Sequence, residues 1–302
     1  MTPDSMNPLH SSHSAEDPPT CRPPDPEPRA AGFTPPALSC DCHAHIIGSR
    51  DEYPMASPRS YTPPPASLQA YQHMLSTLGI QRAVIVQPSF YGLDNRCTRD
   101  AIRASRGAFR GVAVIPTDVS LAELSALNAD GFRGARFNLL FRGGVSLDGL
   151  EALAPKLADL GWHLQFLLDI ATLPGLQQRI SALPCDVVFD HLGHFHPTGP
   201  GSEAGFTALE RLMDNGRTWV KLSGGYRLSS QPAPYRDLRS FAQRLVHCRP
   251  DRLVWGSDWP HTVFEGEMPN DGALLDTLAD WVPDDTTRNR ILVDNPSRLY
   301  GF

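Results

Sequence analysis

Residues 40–48 read CDCHAHIIG, with His43 and His45 two apart at the end of an apolar run. On an extended strand this spacing puts both imidazoles and Asp41 on one face, and Cys40, Cys42 and Ala44 on the other. Paired imidazoles can share a divalent metal; either can equally be a hydrogen-bonded core histidine. Asp190-His191, in FDHLGHF, is a second candidate, beside which His194 and His196 read as ordinary loop histidines. The third is VWGSDWPH, where a strand runs straight into Asp258, followed by Pro260 and His261. A carboxylate there could bind a metal, take a proton from water, or both; its commonplace use is to cap a turn. Three arginines complete the set: Arg136 at a strand end, Arg142 in the FRGG loop, and Arg227 after a later strand. A guanidinium fork grips both oxygens of a carboxylate at once, although rim salt bridges are the ordinary use of any one arginine.

The elements that must position these residues alternate regularly. Strand patterns lie at 37–45, 82–87, 111–116, 132–138, 162–169, 185–191, 218–224 and 252–258. Helical patterns follow at 67–79, 95–107, 120–131, 147–161, 172–183, 202–216 and 235–249, and two more close the chain at 271–281 and 284–293. Gly79 and Gly107 supply helix stops, and Ser120 with Glu123 forms a capping-box pattern. Strict β–α alternation implies a parallel sheet with helices outside, and eight repeats predict an α/β fold of the (β/α)8 TIM-barrel type in a single domain. Polar residues cluster where strands end: His43/His45, Gln87/Ser89, Arg136/Asn138, Asp169, Asp190/His191, Ser223 and Asp258. A barrel gathers such ends at one mouth. No G-x-G-x-x-G follows the first strand, so a dinucleotide fold lacks its fingerprint.

Composition narrows the classes further. The 302 residues are 41% hydrophobic and 20% charged, with net charge −6, which argues against a nucleic-acid partner. No run reaches membrane-spanning length. Residues 1–36 are rich in Pro, Ser and charge and lack a hydrophobic signal core, so a disordered tail preceding a barrel domain at 37–302 is expected, with His10 and His13 solvated. The expected setting is cytoplasmic, with the six cysteines reduced and no structural zinc. A homo-oligomer is compatible with all of this.

Together, His43-Ala44-His45, Asp190-His191 and Trp255 through His261 resemble the amidohydrolase superfamily, in particular its amidohydrolase-2 branch. Ser60-Tyr61-Thr62-Pro63, QPSFYGLDN from Gln87, RGARFN from Arg133, Tyr226-Arg227-Leu228-Ser229 and VDNPSRLY near the C-terminus are similar to the 2-pyrone-4,6-dicarboxylate lactonases within that branch. The resemblance implies a hydrolase that opens the lactone ring of an anionic dicarboxylate, in aromatic-compound degradation. It assigns Arg136, Arg142 and Arg227, with Tyr61 and Ser89, to the substrate carboxylates, and adds His261 to the substrate-binding set. His43, His45 and His191 fall to the lactone carbonyl and Asp258 to activating water. No cofactor is required on that resemblance; a single zinc on His43, His45, His191 and Asp258 is the metal form of nearby relatives. Two departures stand out: Leu167 occupies the position expected to hold a substrate-contacting tyrosine, and the fourth strand carries Arg136 with no lysine to be carbamylated. The alternatives are an isomerase or hydrolase of another anionic lactone, such as a sugar-acid lactone or sulfomuconolactone, and a non-catalytic carboxylate binder.

Overall fold

The alternating pattern closes on itself. The computed structural model describes residues 18–142 and 144–302. One parallel sheet runs in chain order through β1 (Cys40–Ala44), β2 (Arg82–Val86), β3 (Phe109–Ala113), β4 (Phe132–Asn138), β5 (His163–Leu167), β6 (Val187–Phe189), β7 (Thr218–Leu222) and β8 (Leu253–Trp255). Helices between the strands cover the outside, beginning with α1 (Leu68–Leu78), α2 (Arg96–Ala104) and α3 (Leu121–Ala129). Their ends follow the sequence signals. Ser67 caps α1 by accepting from the Ala70 amide, Gly79 ends it in the left-handed conformation, and Ser120 and Glu123 form the reciprocal box at the start of α3. No helix among the described residues is long and apolar enough to cross a membrane.

The closing seam between β8 and β1 is irregular. Its backbone bonds are Asp258 N–H to His43 O at 2.8 Å and His45 N–H to Trp259 O at 2.8 Å. Gly256 lets the two segments meet, because a Cβ there would lie 2.7 Å from His43 Cβ. The Asp41 carboxylate fastens the joint. It accepts the amides of Ser257 (2.8 Å) and His43 (3.1 Å) and the hydroxyls of Ser257 (2.5 Å) and Tyr71 in α1 (2.9 Å).

Asp41 therefore does not share a face with His43, as simple alternation requires. The β1–β2 register shifts between Asp41 and Ala44, and such an irregularity changes which side the following residues face. Cys40 and Cys42, expected on the opposite face, instead pack with Val84, Val112, Val188, Trp219 and Val254 from strands all round the barrel, in its interior. All six cysteines are unpaired.

The chain ends also depart from expectation. Residues 1–17, with His10 and His13, lie outside the described residues. The expected disordered tail is nevertheless an ordered strap from 18 to 36. Thr62 N–H bonds Pro19 O at 2.8 Å, Cys21 N–H bonds Thr62 O at 3.0 Å, and the Val263 amide reaches Cys21 Sγ at 3.3 Å. Farther along, Asp276 takes both Arg29 Nη2 (2.7 Å) and the Gly32 amide (2.5 Å). Composition suggested disorder because the strap has no apolar periodicity; fixed proline dihedrals and polar anchors order it without one. At the other end, the helix expected at 284–293 widens into a π turn at Arg290–Asp294 and continues as Asn295–Tyr300. Pro296 explains the widening, since it has no N–H and crowds the carbonyl four residues back. Leu299 and Tyr300 plug the barrel floor.

Replacing Asp41 by alanine strands several buried donors at the seam, at about 1–3 kcal/mol for each left unsatisfied. Asp41→Ala should lower unfolding stability by at least about 2 kcal/mol in a urea melt; a wild-type midpoint would remove this carboxylate from barrel closure.

Candidate active site

Above the apolar floor the barrel interior turns polar. Strands β4, β5 and β7 point Arg136, Gln165 and Lys221 inward, and Asp190 follows β6. Asp190 is their common partner. Its Oδ2 receives Arg136 Nη2 at 3.2 Å and Gln165 Nε2 at 3.1 Å; its Oδ1 lies 3.3 Å from Lys221 Nζ and 3.2 Å from His43 Nδ1. Burial alone would raise this carboxyl, but Lys221, His43 and Arg136 hold it well below the usual range. Lys221 is itself fully buried and also bonds Gln165 Oε1 at 2.9 Å.

These neighbours prepare His43 for either of two roles. Its Nδ1 lies 3.2 Å from Lys221 Nζ and 3.2 Å from Asp190 Oδ1, while its buried Nε2 has no hydrogen-bond partner. A proton on Nδ1, given to Asp190, leaves Nε2 as a lone pair for a cation. A hydrogen bond accepted from Lys221 leaves Nε2–H as a donor. His45 has less freedom. Its Nδ1 lies 2.7 Å from Val86 O, which can only accept, so the neutral ring presents Nε2 as an acceptor. Burial and then Arg136 lower its pKa to about 3. Thus His45 can accept from water or ligate a cation, but cannot donate to an oxyanion.

Asp258 closes the group. Its Oδ2 receives Tyr226 OH at 2.7 Å and Arg227 Nε at 2.6 Å, both from a short helix, Gly225–Leu228, directly after β7. Its Oδ1 faces His43 Nε2 at 3.7 Å, and His191 Nε2 lies 3.7 Å from Oδ2. Burial pushes this carboxyl up, but Arg227 and the imidazoles of His191, His43 and His45 outweigh it and keep it well below the usual range. His191 Nδ1 is held 2.9 Å from Ser223 Oγ, and Gly224 makes room for its ring. Residues His191, Leu192, Gly193 and His194 are all left-handed, with φ of 51°, 52°, 92° and 51°. Such a conformation costs about 1–3 kcal/mol for each non-glycine residue and is characteristic of functional loops.

One atom each from His43, His191 and Asp258 lie within 4.8 Å of one another. With His43 Nε2 otherwise unpartnered, this donor set fits a single divalent cation such as zinc. His45 is not part of that triad but lines the cleft above it.

These groups open into a cleft at the barrel mouth. Arg136, Arg227, His45, His191 and Asp258 supply its polar surface, with Tyr61, Phe141, Leu167 and Val263 as apolar wall. Other expected members lie elsewhere. Arg142 is exposed, with its amide bonded to Ser60 Oγ at 2.8 Å, so two guanidiniums rather than three line the cleft. His261 is completely buried behind Tyr226, between Tyr226 OH and Asp271 Oδ1, each at 3.2 Å. Ser89 is buried beside the Tyr61 hydroxyl, on which it acts, and does not itself line the cleft. Sequence reasoning missed Lys221 and Gln165, whose one signal is a polar residue at an inward position of an otherwise apolar strand. It also missed Tyr226, visible only as the neighbour of Arg227, and His194, which lines the cleft.

The closed parallel barrel brings imidazoles and a carboxylate from β1 and from the ends of β6 and β8 to its C-terminal mouth, where barrel enzymes hold their active sites. The amidohydrolase family model of the amidohydrolase-2 type matches residues 40–302. The chain is 36% identical to a 4-sulfomuconolactone hydrolase of Hydrogenophaga intermedia, covering 96% of this chain and 98% of that protein. It is 38% identical to a 2-pyrone-4,6-dicarboxylate hydrolase of Comamonas testosteroni, covering 89% and 92%. The crystal structure of a probable 2-pyrone-4,6-dicarboxylic acid hydrolase from Acinetobacter baumannii with citric acid bound superposes with a TM-score of 0.75 at 28% identity, covering 88% of this chain and all of that one. The chain belongs to the amidohydrolase family, in its amidohydrolase-2 branch, and is an enzyme of that type.

Removing the Asp190 charge leaves Lys221 and Arg136 buried without a counterion. Asp190→Asn should cost about 3–5 kcal/mol at pH 7. The native carboxyl is depressed, so its contribution is complete above the ordinary carboxylate range near pH 4 and is lost as pH falls toward the folded-state pKa. Urea melts should therefore show the gap between variant and wild type narrowing in acid. A gap independent of pH would remove the charge from the explanation.

Proposed function

We propose that this enzyme hydrolyses a lactone that carries acidic groups, with 2-pyrone-4,6-dicarboxylate as the reference substrate. One observation carries the reading: a buried anionic carboxylate, Asp258, faces His43 and His191 at the floor of a cleft that also exposes Arg136 and Arg227. Relatives named for a pyrone dicarboxylate and a sulfomuconolactone support the substrate class. Arg136 and Arg227 receive the acidic groups and fix the ring over the floor, and such orientation supplies a large share of rate enhancement. Tyr61 and Phe141 pack against the ring from the wall. Leu167 presents methyl groups where the lactonase resemblance expects a hydroxyl, which favours an acid held on fewer polar contacts on that side.

The chemistry uses one water. Asp258 takes a proton from water as its oxygen bonds the lactone carbonyl carbon. His43, as the Nε2–H tautomer donated to by Lys221, steadies the oxyanion by a hydrogen bond. The ring C–O bond then breaks, and the proton passes from Asp258 to the leaving oxygen. A zinc held by His43, His191 and Asp258 would add Lewis-acid polarisation of the carbonyl and a more acidic water. The reading needs no base other than Asp258 in either form.

Asp258→Asn should lower kcat by at least about a thousandfold while KM stays within about tenfold, roughly 1.4 kcal/mol. Near-normal turnover would exclude Asp258 as base. Arg227→Met should raise KM more than tenfold, roughly the energy of a charge-assisted hydrogen bond; an unchanged KM would sink the clamp. Elemental analysis of the purified enzyme, with a lactone panel assayed with and without chelator, decides the metal. Zinc near one equivalent with activity lost on chelation establishes the metal form, and full activity of zinc-free enzyme establishes the other. Net acid release separates hydrolysis from isomerisation of a lactone, and from binding alone.

A further inference from the structure

The left-handed run at residues 191–194 does more than aim His191. Its last residue, His194, places a second imidazole in the cleft wall. That ring is half-buried, stands beside the ring of His191 with centroids 6.4 Å apart, and is hydrogen-bonded to its own backbone but to no other described residue. His191, Arg227 and Asp258 are the groups that act on it electrostatically. In the circular order of the barrel the loop after β6 stands between Leu167 at the end of β5 and Arg227 just after β7. The backbone adopts φ of 51° at a position where Gly or Asn would be easier. A left-handed backbone that delivers a polar ring into a cleft, with no hydrogen bond to any other described residue, points to a ligand for that ring.

We infer that His194 is a substrate-binding residue, whose imidazole hydrogen-bonds the same acidic group that Arg227 receives. The inference rests on the reading of the cleft as an anionic-lactone site. It gives that site a polar contact on the β6 side, adjoining the apolar surface of Leu167. The oxygens of a carboxylate or a sulfonate accept both the guanidinium fork and one ring N–H, which the ligand takes over from the residue's own backbone carbonyl.

The test compares wild type with His194→Phe, which keeps ring shape but has no N–H, and His194→Asn, which suits a left-handed backbone. Turnover of 2-pyrone-4,6-dicarboxylate and 4-sulfomuconolactone is measured alongside citrate titration followed by thermal stabilisation. His194→Phe should raise KM roughly tenfold, the loss of one hydrogen bond to a charged group, with kcat changed less than about threefold. Its citrate half-saturation should rise in parallel, and both variants should melt within a few degrees of wild type. Wild-type KM and citrate response in His194→Phe would overturn the inference. So would a parallel fall of melting temperature and kcat with KM unchanged in both variants, which marks a structural role. A wild-type enzyme that opens neither lactone overturns the proposed function instead. The citrate titration then decides His194 alone, and wild-type protein that binds no citrate overturns both.

Discussion

The carboxylate of Asp190 is the constraint around which the barrel mouth is organised. Two buried cations, Lys221 and Arg136, reach the barrel axis from β7 and β4, and neither could stay charged there without an anion between them. Gln165 completes the cage and also ties Lys221. The network fixes three strand positions relative to one another, and it hands His43 both a donor and an acceptor at Nδ1. The setting of His43 and the packing of the barrel thus depend on the same charge balance.

Asp258 repeats this arrangement one layer higher, with a different outcome. Its cation, Arg227, belongs to a short helix at the rim rather than to a strand, and part of that guanidinium edge faces the cleft. The inner carboxylate is enclosed by its partners, and only Arg136 among them reaches the cleft; the outer pair is open to a ligand. Two carboxylates of like type are separated in role by how far their partner arginines lie from solvent.

Much of the fold was legible in the sequence because β–α alternation and helix caps are local signals. β4 was expected at 132–138 and is found there, and Ser120 caps its helix with Glu123 as the pattern required. Asp190, His191 and Asp258 were legible because they sit where strands end. Strand parity failed at β1, where Cys40, Asp41 and Cys42 alternate in, out and in, and the register shift after Asp41 turns His43 to the inside as well. Lys221 stayed hidden because its strand reads as apolar and its counterion comes from another strand. The positions of Arg142 and His261 depended on loop paths that no periodicity encodes. The strap at 18–36 misled for a related reason: composition measures what a segment can bury by itself, and this one is held by groups on other elements.

Segments early and late in the described residues fasten the same ring. Tyr300 enters the barrel floor, its ring centroid 5.3 Å from that of His163, while Asn295 bonds the carbonyl of Leu253 at the start of β8 at 2.7 Å. At the opposite end of the strands, Pro19 and Cys21 join the loop after β1 to the loop after β8, across the irregular seam. Those loops carry Tyr61, Thr262 and Val263 into the cleft wall. The segment at 19–21 and the helix at 295–300 thus hold opposite ends of the same strands, one at the mouth and one at the floor, and the first of them braces the loops that wall the cleft.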